Sequence, residues 1–420
     1  MRATLAALLV GVHAAVTAAT PADPPATAAE TQLWRVLSSV SAGRLNAALD
    51  EVDGLIGRYP NFRLAHLVRG DLLLARAKPI DGFGNTGHAA LDRLEGLRAE
   101  AFARVRGLRE APPAGSVPRD LLALAPAQTH AIVVDASRSR IYVFENSRDG
   151  PRLVADYYTT LGKRGTDKLR EGDQKTPIGV YHVTSSIPGS KLPDLYGWGA
   201  FPIDYPNAWD RRSARTGYGI WLHGVPAENY ARAPLASDGC IALANDEIAE
   251  LAKRVRPGVT PVLIAERLEW VTPEAWRAER DRFMRGLEAW RVDWESLDLD
   301  RYLSHYDGGF LAGRTDLSAW GAHKRKVNAA KSWIRVGLAN VSVLRGAGRG
   351  GVVEVTFNQD YRSSNLSQRA RKRQYWVEEG DRWKIAYEAN VGGSKLLLPE
   401  SFPKGKKETD MKPMLKGAGR

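Results

Sequence analysis

Cysteine is almost absent from this chain. Cys240 is the only one in 420 residues, so an internal disulfide and a cysteine-based zinc cluster are both excluded. There is no His-Glu-x-x-His, no Walker-type glycine loop and no dinucleotide fingerprint, and no cofactor or metal is expected. Apart from the N-terminus, no stretch approaches the roughly 18 consecutive apolar residues that a membrane helix needs. Acidic residues are also short: 48 against 60 Lys and Arg, a formal net charge of +12. Such a balance favours anionic surroundings, whether nucleic acid, acidic polymers or lipid headgroups, without choosing among them.

What is present begins with residues 1–19, which read as a secretory signal peptide. Arg2 gives the positive start, Leu5 to Val16 the apolar core, and Thr17-Ala18-Ala19 the small residues before cleavage. An uncleaved anchor is the alternative. Export implies a periplasmic or cell-envelope protein that is not integral to the membrane once processed, and it weakens the nucleic-acid reading. A single cysteine in an exported chain suggests a reactive thiol or an intermolecular bond.

The length allows two or three domains. Residues 28–119 read as a helical region. Leu33, Leu37, Val40, Leu45, Leu49, Val52 and Ile56 recur near helical spacing from Glu30 to Ile56. Tyr59-Pro60-Asn61 breaks the pattern, and helices follow over Arg63 to Ala77 and Ala89 to Leu108. The hairpin is similar to one tetratricopeptide unit; a plain helical cap is the alternative. Ala111 to Pro118 reads as a Pro-rich linker, with a boundary near 120.

Residues 128–266 form the next unit. Strand patterns cover His130 to Asp135, Arg140 to Glu145, Leu153 to Thr160, Ile178 to Val183 and Thr260 to Ala265, with one helix after Asn245, a candidate cap. Lys191 to Thr216 reads as a long loop; Trp198, Phe201, Tyr205 and Arg211 are candidates for lining a groove or for packing the loop. The apolar run Ile220-Trp221-Leu222 reads as a buried strand that delivers His223 to a cleft. Seventeen residues later, the turn Ser237-Asp238-Gly239 presents Cys240. An imidazole near a thiol can lower the thiol pKa and take its proton.

The pattern His-Gly-x12-Ser-x-Gly-Cys resembles the signature of the L,D-transpeptidase catalytic domain of the YkuD type. His223, Gly224, Ser237, Gly239, Cys240 and Ile241 match, as do Gly162-Lys163 and the Thr-Pro-x-Gly at Thr176 to Gly179. Asp238 stands where most members carry a second histidine, and Ala242 where many carry arginine. The resemblance implies a mostly-β, sandwich-like domain and a Cys240 nucleophile served by His223 as general base and acid. Its substrate would be a peptidoglycan stem peptide, attacked at the meso-diaminopimelate carbonyl with D-alanine leaving. The Gly224 carbonyl would orient the imidazole, and the Gly239 and Cys240 N–H groups are oxyanion-hole candidates. Ser237 and Asp238 would shape the turn, Asp238 by bonding local backbone N–H groups. The alternatives are a hydrolytic amidase or carboxypeptidase, a different cysteine enzyme, and an inactive wall-binding protein.

Residues 272–397 read as helices followed by strands. Helices are expected over Pro273 to Arg291, Trp294 to His305 and Val327 to Val336. Strands are expected over Val341 to Leu344, Val352 to Tyr361, Arg373 to Glu379 and Trp383 to Glu388. This order resembles the SnoaL-like cone of the nuclear transport factor 2 superfamily. His305, Asp307, Tyr375 and Trp376 are candidate pocket residues. Basic clusters at Lys324-Arg325-Lys326 and Arg369 to Arg373 read as solvated surface that could also grip an anionic envelope polymer. Residues 398–420 read as a basic disordered tail. The fold class is therefore multidomain α+β: a helical hairpin region, a mostly-β catalytic domain and an α+β cone.

Overall fold

Apolar periodicity near 3.6 becomes four helices at the N-terminal end of the computed structural model, which describes residues 27–80, 82–85, 91–346, 351–391 and 395–397. The signal segment 1–19 and the tail 398–420 lie outside the described residues. The helices are Ala28–Ser41, Leu45–Arg58, Arg63–Ala77 and Leu91–Arg109. The pattern expected to run unbroken from Glu30 to Ile56 is split between two of them. Gly43 sits there at φ +72°, a left-handed conformation that ends a helix, and Leu45 restarts the apolar stripe. Val36, Val52, Leu55, Ala65 and Leu72 fill the core of this region, and Tyr230 and Ala244 of the next domain join them.

The middle domain packs two sheets around a single core. The larger has five strands in the order Gly150–Tyr158, Arg140–Ser147, His130–Asp135, Pro261–Ala265, Gly179–His182. The second has four, in the order Ile241–Ala242, Trp221–His223, Gly199–Pro202, Ile187–Pro188. Ile132, Val134, Ile141, Val143, Leu222, Ile241 and Ile264 are buried between them. The helix Asn245–Ala252 covers one end with Ile248 and Leu251. Its cap is Ala244, not the expected Asn245, whose side chain is engaged elsewhere.

The last domain lays the helix Pro273–Glu295 across an eight-stranded sheet. Thr272 caps that helix through a bond from Ala275 N, and Pro273 occupies its first turn, where a missing N–H costs nothing. The sheet runs Thr315–Asp316, Tyr306–Ala312, Arg382–Asn390, Leu366–Glu379, Val353–Ser363, Ile334–Arg345, Leu121–Ala123, with Lys395–Leu397 also pairing Leu366–Glu379. Phe283, Trp290, Trp294, Phe357, Trp376 and Trp383 form an aromatic core beneath the helix. Burying aromatics of this size supplies roughly 1.5–3 kcal/mol each before entropy is subtracted.

Two expectations fail here. The helix read over Val327 to Val336 does not exist. Asp316 caps a helix over Leu317–Asn328, and Ile334–Arg345 is a strand whose Ile334 and Val336 are buried in alternation with exposed Arg335 and Gly337. The helix read over Trp294 to His305 is only Leu299–Leu303, because the preceding helix continues to Glu295.

The end of the stretch read as a linker, and the residues just past 120, are woven into segments far along the chain. Val117–Pro118 pairs Trp270–Val271, and Leu121–Ala123 pairs the strand Ile334–Arg345. Leu121 and Leu122 are both fully buried, on opposite faces: Leu121 packs with Val133, Phe144 and Leu344, and Leu122 joins the aromatic core. Alternation along a strand lets two adjacent leucines stitch two domains together.

Candidate active site

The strand Trp221–His223 is the middle of the smaller sheet at the site. It runs parallel to Ile241–Ala242, with Leu222 opposite Ile241 and His223 opposite Ala242. Leu222 and Ile241 point into the core, both at 0% exposure. Alternation then sends His223, and Cys240 one residue before Ile241, to the other face. The imidazole and the thiol are thus diagonal neighbours on one face of adjacent strands. Cys240 is half-buried, and its Sγ lies 3.3 Å from the Gly219 carbonyl, to which it donates.

His223 is 3% exposed. Its Nδ1 lies 2.6 Å from the Gly224 carbonyl oxygen. A carbonyl can only accept, so Nδ1 carries the proton and Nε2 keeps its lone pair. Burial pushes the imidazole pKa down to about 4; the Gly224 bond opposes this, and the charge of Arg232 adds to it. The imidazole is therefore neutral at neutral pH. Burial also raises the Cys240 thiol above its ordinary value, against a bond from Trp221 N–H and the charges of Arg232 and Lys168, while Asp238 raises it further. The resting pair is thiol and imidazole, not thiolate and imidazolium.

The backbone around both residues is clamped. Asn245 Oδ1 accepts from Trp198 N at 2.9 Å and Val225 N at 3.2 Å, and its Nδ2 donates to Val225 O at 2.8 Å. A Cβ on Gly224 would stand 2.2 Å from that Oδ1, so only glycine allows the clamp to close over His223. Tyr196 packs edge-on against the imidazole, ring centroids 5.0 Å apart.

The turn that carries Cys240 is held by hydroxyls. Ser237 Oγ donates to Cys240 O at 2.6 Å and accepts from Gly239 N at 3.1 Å. The Gly239 N–H is thereby occupied, which narrows the oxyanion candidates to the N–H of Cys240. Thr176 Oγ1 donates to Gly239 O at 3.0 Å and accepts from Gly162 N at 2.9 Å. Gly239 has φ +124°, and a Cβ there would meet Lys175 O at 2.7 Å. Asp238 points outward. Its Oδ1 accepts from Lys163 Nζ and Gln174 Nε2, both at 3.0 Å, so side chains of the 163–175 loop take the place of the turn's own N–H groups.

Other sequence candidates separate. Trp198 is exposed beside the site, whereas Phe201 and Tyr205 are buried in the core and Arg211 bonds Pro206 O. In the last domain His305 pairs with Asp293 at 2.7 Å, Asp307 accepts from Gly309 N, Trp376 is buried in the aromatic core, and Tyr375 stacks on Trp209 of the middle domain. They do not form one pocket.

The basic clusters divide: Arg325, Lys326, Arg369 and Arg371 are exposed, whereas Lys324, Lys372 and Arg373 are partly buried. Lys324 Nζ lies over the rings of Trp320, Trp294 and Tyr302 at 4.5, 4.6 and 5.4 Å, and burial lowers its pKa to about 8. Lys372 pairs with Glu388 at 2.7 Å, and Arg369 and Arg373 with Asp360 and Asp204 at 3.3 Å. Asn245, Thr176, Tyr196 and Arg232 are site residues that sequence reasoning did not single out for these roles. Only Thr176, inside Thr-Pro-x-Gly, carried a local signal.

Residues 129–264 match the YkuD L,D-transpeptidase catalytic domain family, and residues 282–389 match the Cds6 C-terminal NTF2-like domain family. Among solved structures, Bd1075 of Bdellovibrio bacteriovorus is 30% identical, with TM-score 0.60, over 67% of this chain and 99% of its own. The helical cell shape determining protein Pgp2 of Campylobacter jejuni is 22% identical, with TM-score 0.54, over 64% of this chain and 95% of its own. At that identity the likeness is one of fold. No curated protein matches the chain in sequence.

Proposed function

This chain belongs to the family of YkuD-type L,D-transpeptidase proteins with an NTF2-like C-terminal domain, and from that premise we propose that it is an exported cysteine acyltransferase acting on peptidoglycan stem peptides. The observation that carries the reading is the His223 Nδ1 bond to Gly224 O. It fixes the tautomer that leaves Nε2 as a base on the face shared with Cys240. In the proposed reaction Sγ attacks the carbonyl carbon of the third stem residue, and the thiol proton passes to His223 Nε2. The Cys240 N–H receives the developing oxyanion. The carbon–nitrogen bond to the terminal D-alanine breaks, its nitrogen taking the proton back from His223. A thioester on Cys240 remains. An amine of a neighbouring stem then attacks it, giving a cross-link and restoring the thiol; water in place of the amine gives carboxypeptidase products.

Export is supported by Arg2, the apolar run to Val16 and the small residues that follow. Among the described residues no helix is long and apolar enough to cross a membrane. A role in wall remodelling and cell shape follows from the proposed substrate. The test is incubation with purified wall or tetrapeptide donors, followed by product analysis of digested material and intact-mass detection of the acyl-enzyme. Cross-linked or shortened stems, absent with Cys240→Ala, are expected. Acylation that persists in Cys240→Ala, or no acylation of the native chain by stem peptides or a carbapenem, would refute the assignment.

A further inference from the structure

The loop between His223 and the Cys240 turn does more than connect them. It docks on the N-terminal helices: Tyr230 N donates to Asn61 O at 3.1 Å, Asn61 Nδ2 donates to Ala227 O at 3.1 Å, and the Tyr230 ring packs on Phe62 and Tyr59 at 4.5 and 5.1 Å. A groove of about 450 Å³ runs between this loop and the helix Leu91–Arg109. Arg63 and Arg93 lie on its lining, with Asp92 and Glu100. Glu100 is bonded to Arg104 at 2.9 Å, which offsets its charge. Arg232 also lines the groove.

Arg232 is held more firmly than a surface arginine. Its carbonyl accepts from Tyr158 Oη at 2.8 Å and Thr160 Oγ1 at 3.1 Å, both on buried residues. Its guanidinium is half-buried and donates through Nη2 to Ala236 O. No carboxylate among the described residues lies within ion-pairing distance of it. Asp238, whose charge it feels, is bonded to Lys163 and Gln174 instead. Its positive charge acts on both His223 and Cys240. Ala242, where the family signature often has arginine, leaves the nucleophile strand without such a group.

A held, half-buried guanidinium with four remaining N–H donors is suited to bidentate recognition of a carboxylate. We propose that Arg232 is a specificity-determining residue that binds a carboxylate of the donor peptide, and that the groove leading from it along the helix Leu91–Arg109 accommodates the rest of an anionic chain. This deepens the stem-peptide reading and rests on it for the identity of the peptide. It also gives the helical region a part in substrate binding, since that region carries one wall of the groove and the anchor of the loop.

The test uses binding, so it does not depend on turnover. The full chain carrying Cys240→Ala is titrated by calorimetry with the free-acid stem tetrapeptide and with the same peptide amidated at every carboxyl group. The titrations are repeated after adding Arg232→Gln or Arg232→Lys. The free acid is expected to bind at least tenfold more tightly than the amide, Arg232→Gln to abolish the difference, and Arg232→Lys to restore part of it. Equal affinities, a preference that survives Arg232→Gln, or no binding of either peptide would overturn the inference. The stem-peptide reading is judged separately, by the mass shift of native Cys240.

Discussion

His223 stands opposite Ala242 on the neighbouring parallel strand, two residues beyond the level of Cys240, with its Nδ1 committed to Gly224 O. An imidazole held at about 4 is an unprotonated acceptor at every pH from about 5 upward, and the thiol beside it is raised. Thiol reactivity at neutral pH must then come from transfer to Nε2 during attack. Alkylation by iodoacetamide, followed by intact mass, should persist down to about pH 5 and fall only as the imidazole protonates. In His223→Ala the rate at pH 7 should drop at least about tenfold and recover only as pH passes the raised thiol pKa. Superimposable profiles would show that the two side chains do not exchange a proton.

Asp238 departs from the family signature, and the structure gives it a different task from bonding the turn. It ties the turn to Lys163 and Gln174 with its side chain largely in solvent. An exposed pair of this kind contributes about 0–1 kcal/mol. Asp238→Asn keeps an acceptor for both partners and removes a charge that opposes thiol ionisation, so acylation should stay within about threefold and alkylation should quicken slightly. Asp238→Ala frees the 163–175 loop and should lose more. Near-complete loss in both variants at unchanged melting temperature would mean that the carboxylate takes part in the chemistry.

The turn from Ser237 to Cys240 was legible because its residues are contiguous and carry their own turn chemistry. The strands of the larger middle-domain sheet were legible because Ile132 to Val134 and Ile141 to Phe144 are buried on both faces and so read as unbroken apolar runs. The clamps were not, because their partners are remote in sequence. Thr176 and Gly239 are 63 residues apart, and Asn245 and Trp198 are 47 apart. No local pattern encodes such a pairing. Lys324 misled for a related reason: three successive basic residues read as a solvated face, but a helix turns its side chains 100° at a time, and Lys324 faces Trp294, Tyr302 and Trp320. The strands Val117–Pro118 and Leu121–Ala123 were not legible because two- and three-residue strands have too little length to show a period.

That weave changes what truncation should do. A chain ending at Glu266 would lose Leu344, which packs on Leu121, Val133 and Phe144, the strand that pairs Leu121–Ala123, and the bond from Trp276 Nε1 to Leu121 O at 2.8 Å. Uncovering two or three buried leucines costs about 2–5 kcal/mol each by analogy with large-to-small core changes. The truncated chain should melt at least about 10 °C lower than the full chain or be insoluble, and bind wall material poorly. A soluble product with unchanged melting temperature and full acylation would show that the middle domain stands alone.

The contact between the helical region and the middle domain is ionic as well as apolar, and its carboxylates shift in opposite directions. Glu30 is fully buried and accepts from Arg140 Nη1 and Arg104 Nη1, each at 2.8 Å. Burial works against its ionised form, but the two arginines overcome it and hold the carboxyl below its ordinary value. Such a group stabilises the fold above the unfolded-state pKa, and that contribution is lost as pH falls through the folded-state value. Glu30→Gln should therefore cost about 3–5 kcal/mol at pH 7, because two buried arginines lose their shared counter-charge. Glu247 behaves in the opposite way. It is 2% exposed, its Oε2 accepts from Ala244 N at 3.3 Å, its Oε1 has no hydrogen-bond partner, and burial pushes its carboxyl up to about 8. A raised carboxyl favours folding while protonated in the fold, so its contribution is fully present below about pH 4 and declines as pH rises to 8. Glu247→Gln supplies a neutral side chain that can still accept from Ala244 N. Urea unfolding at pH 5, 6.5 and 8 should show the native chain losing stability across this range more steeply than Glu247→Gln, with the variant the more stable of the two at pH 8. If the two chains keep the same slope, Glu247 is ionised in the fold, and Arg104 compensates it as fully as it does Glu30.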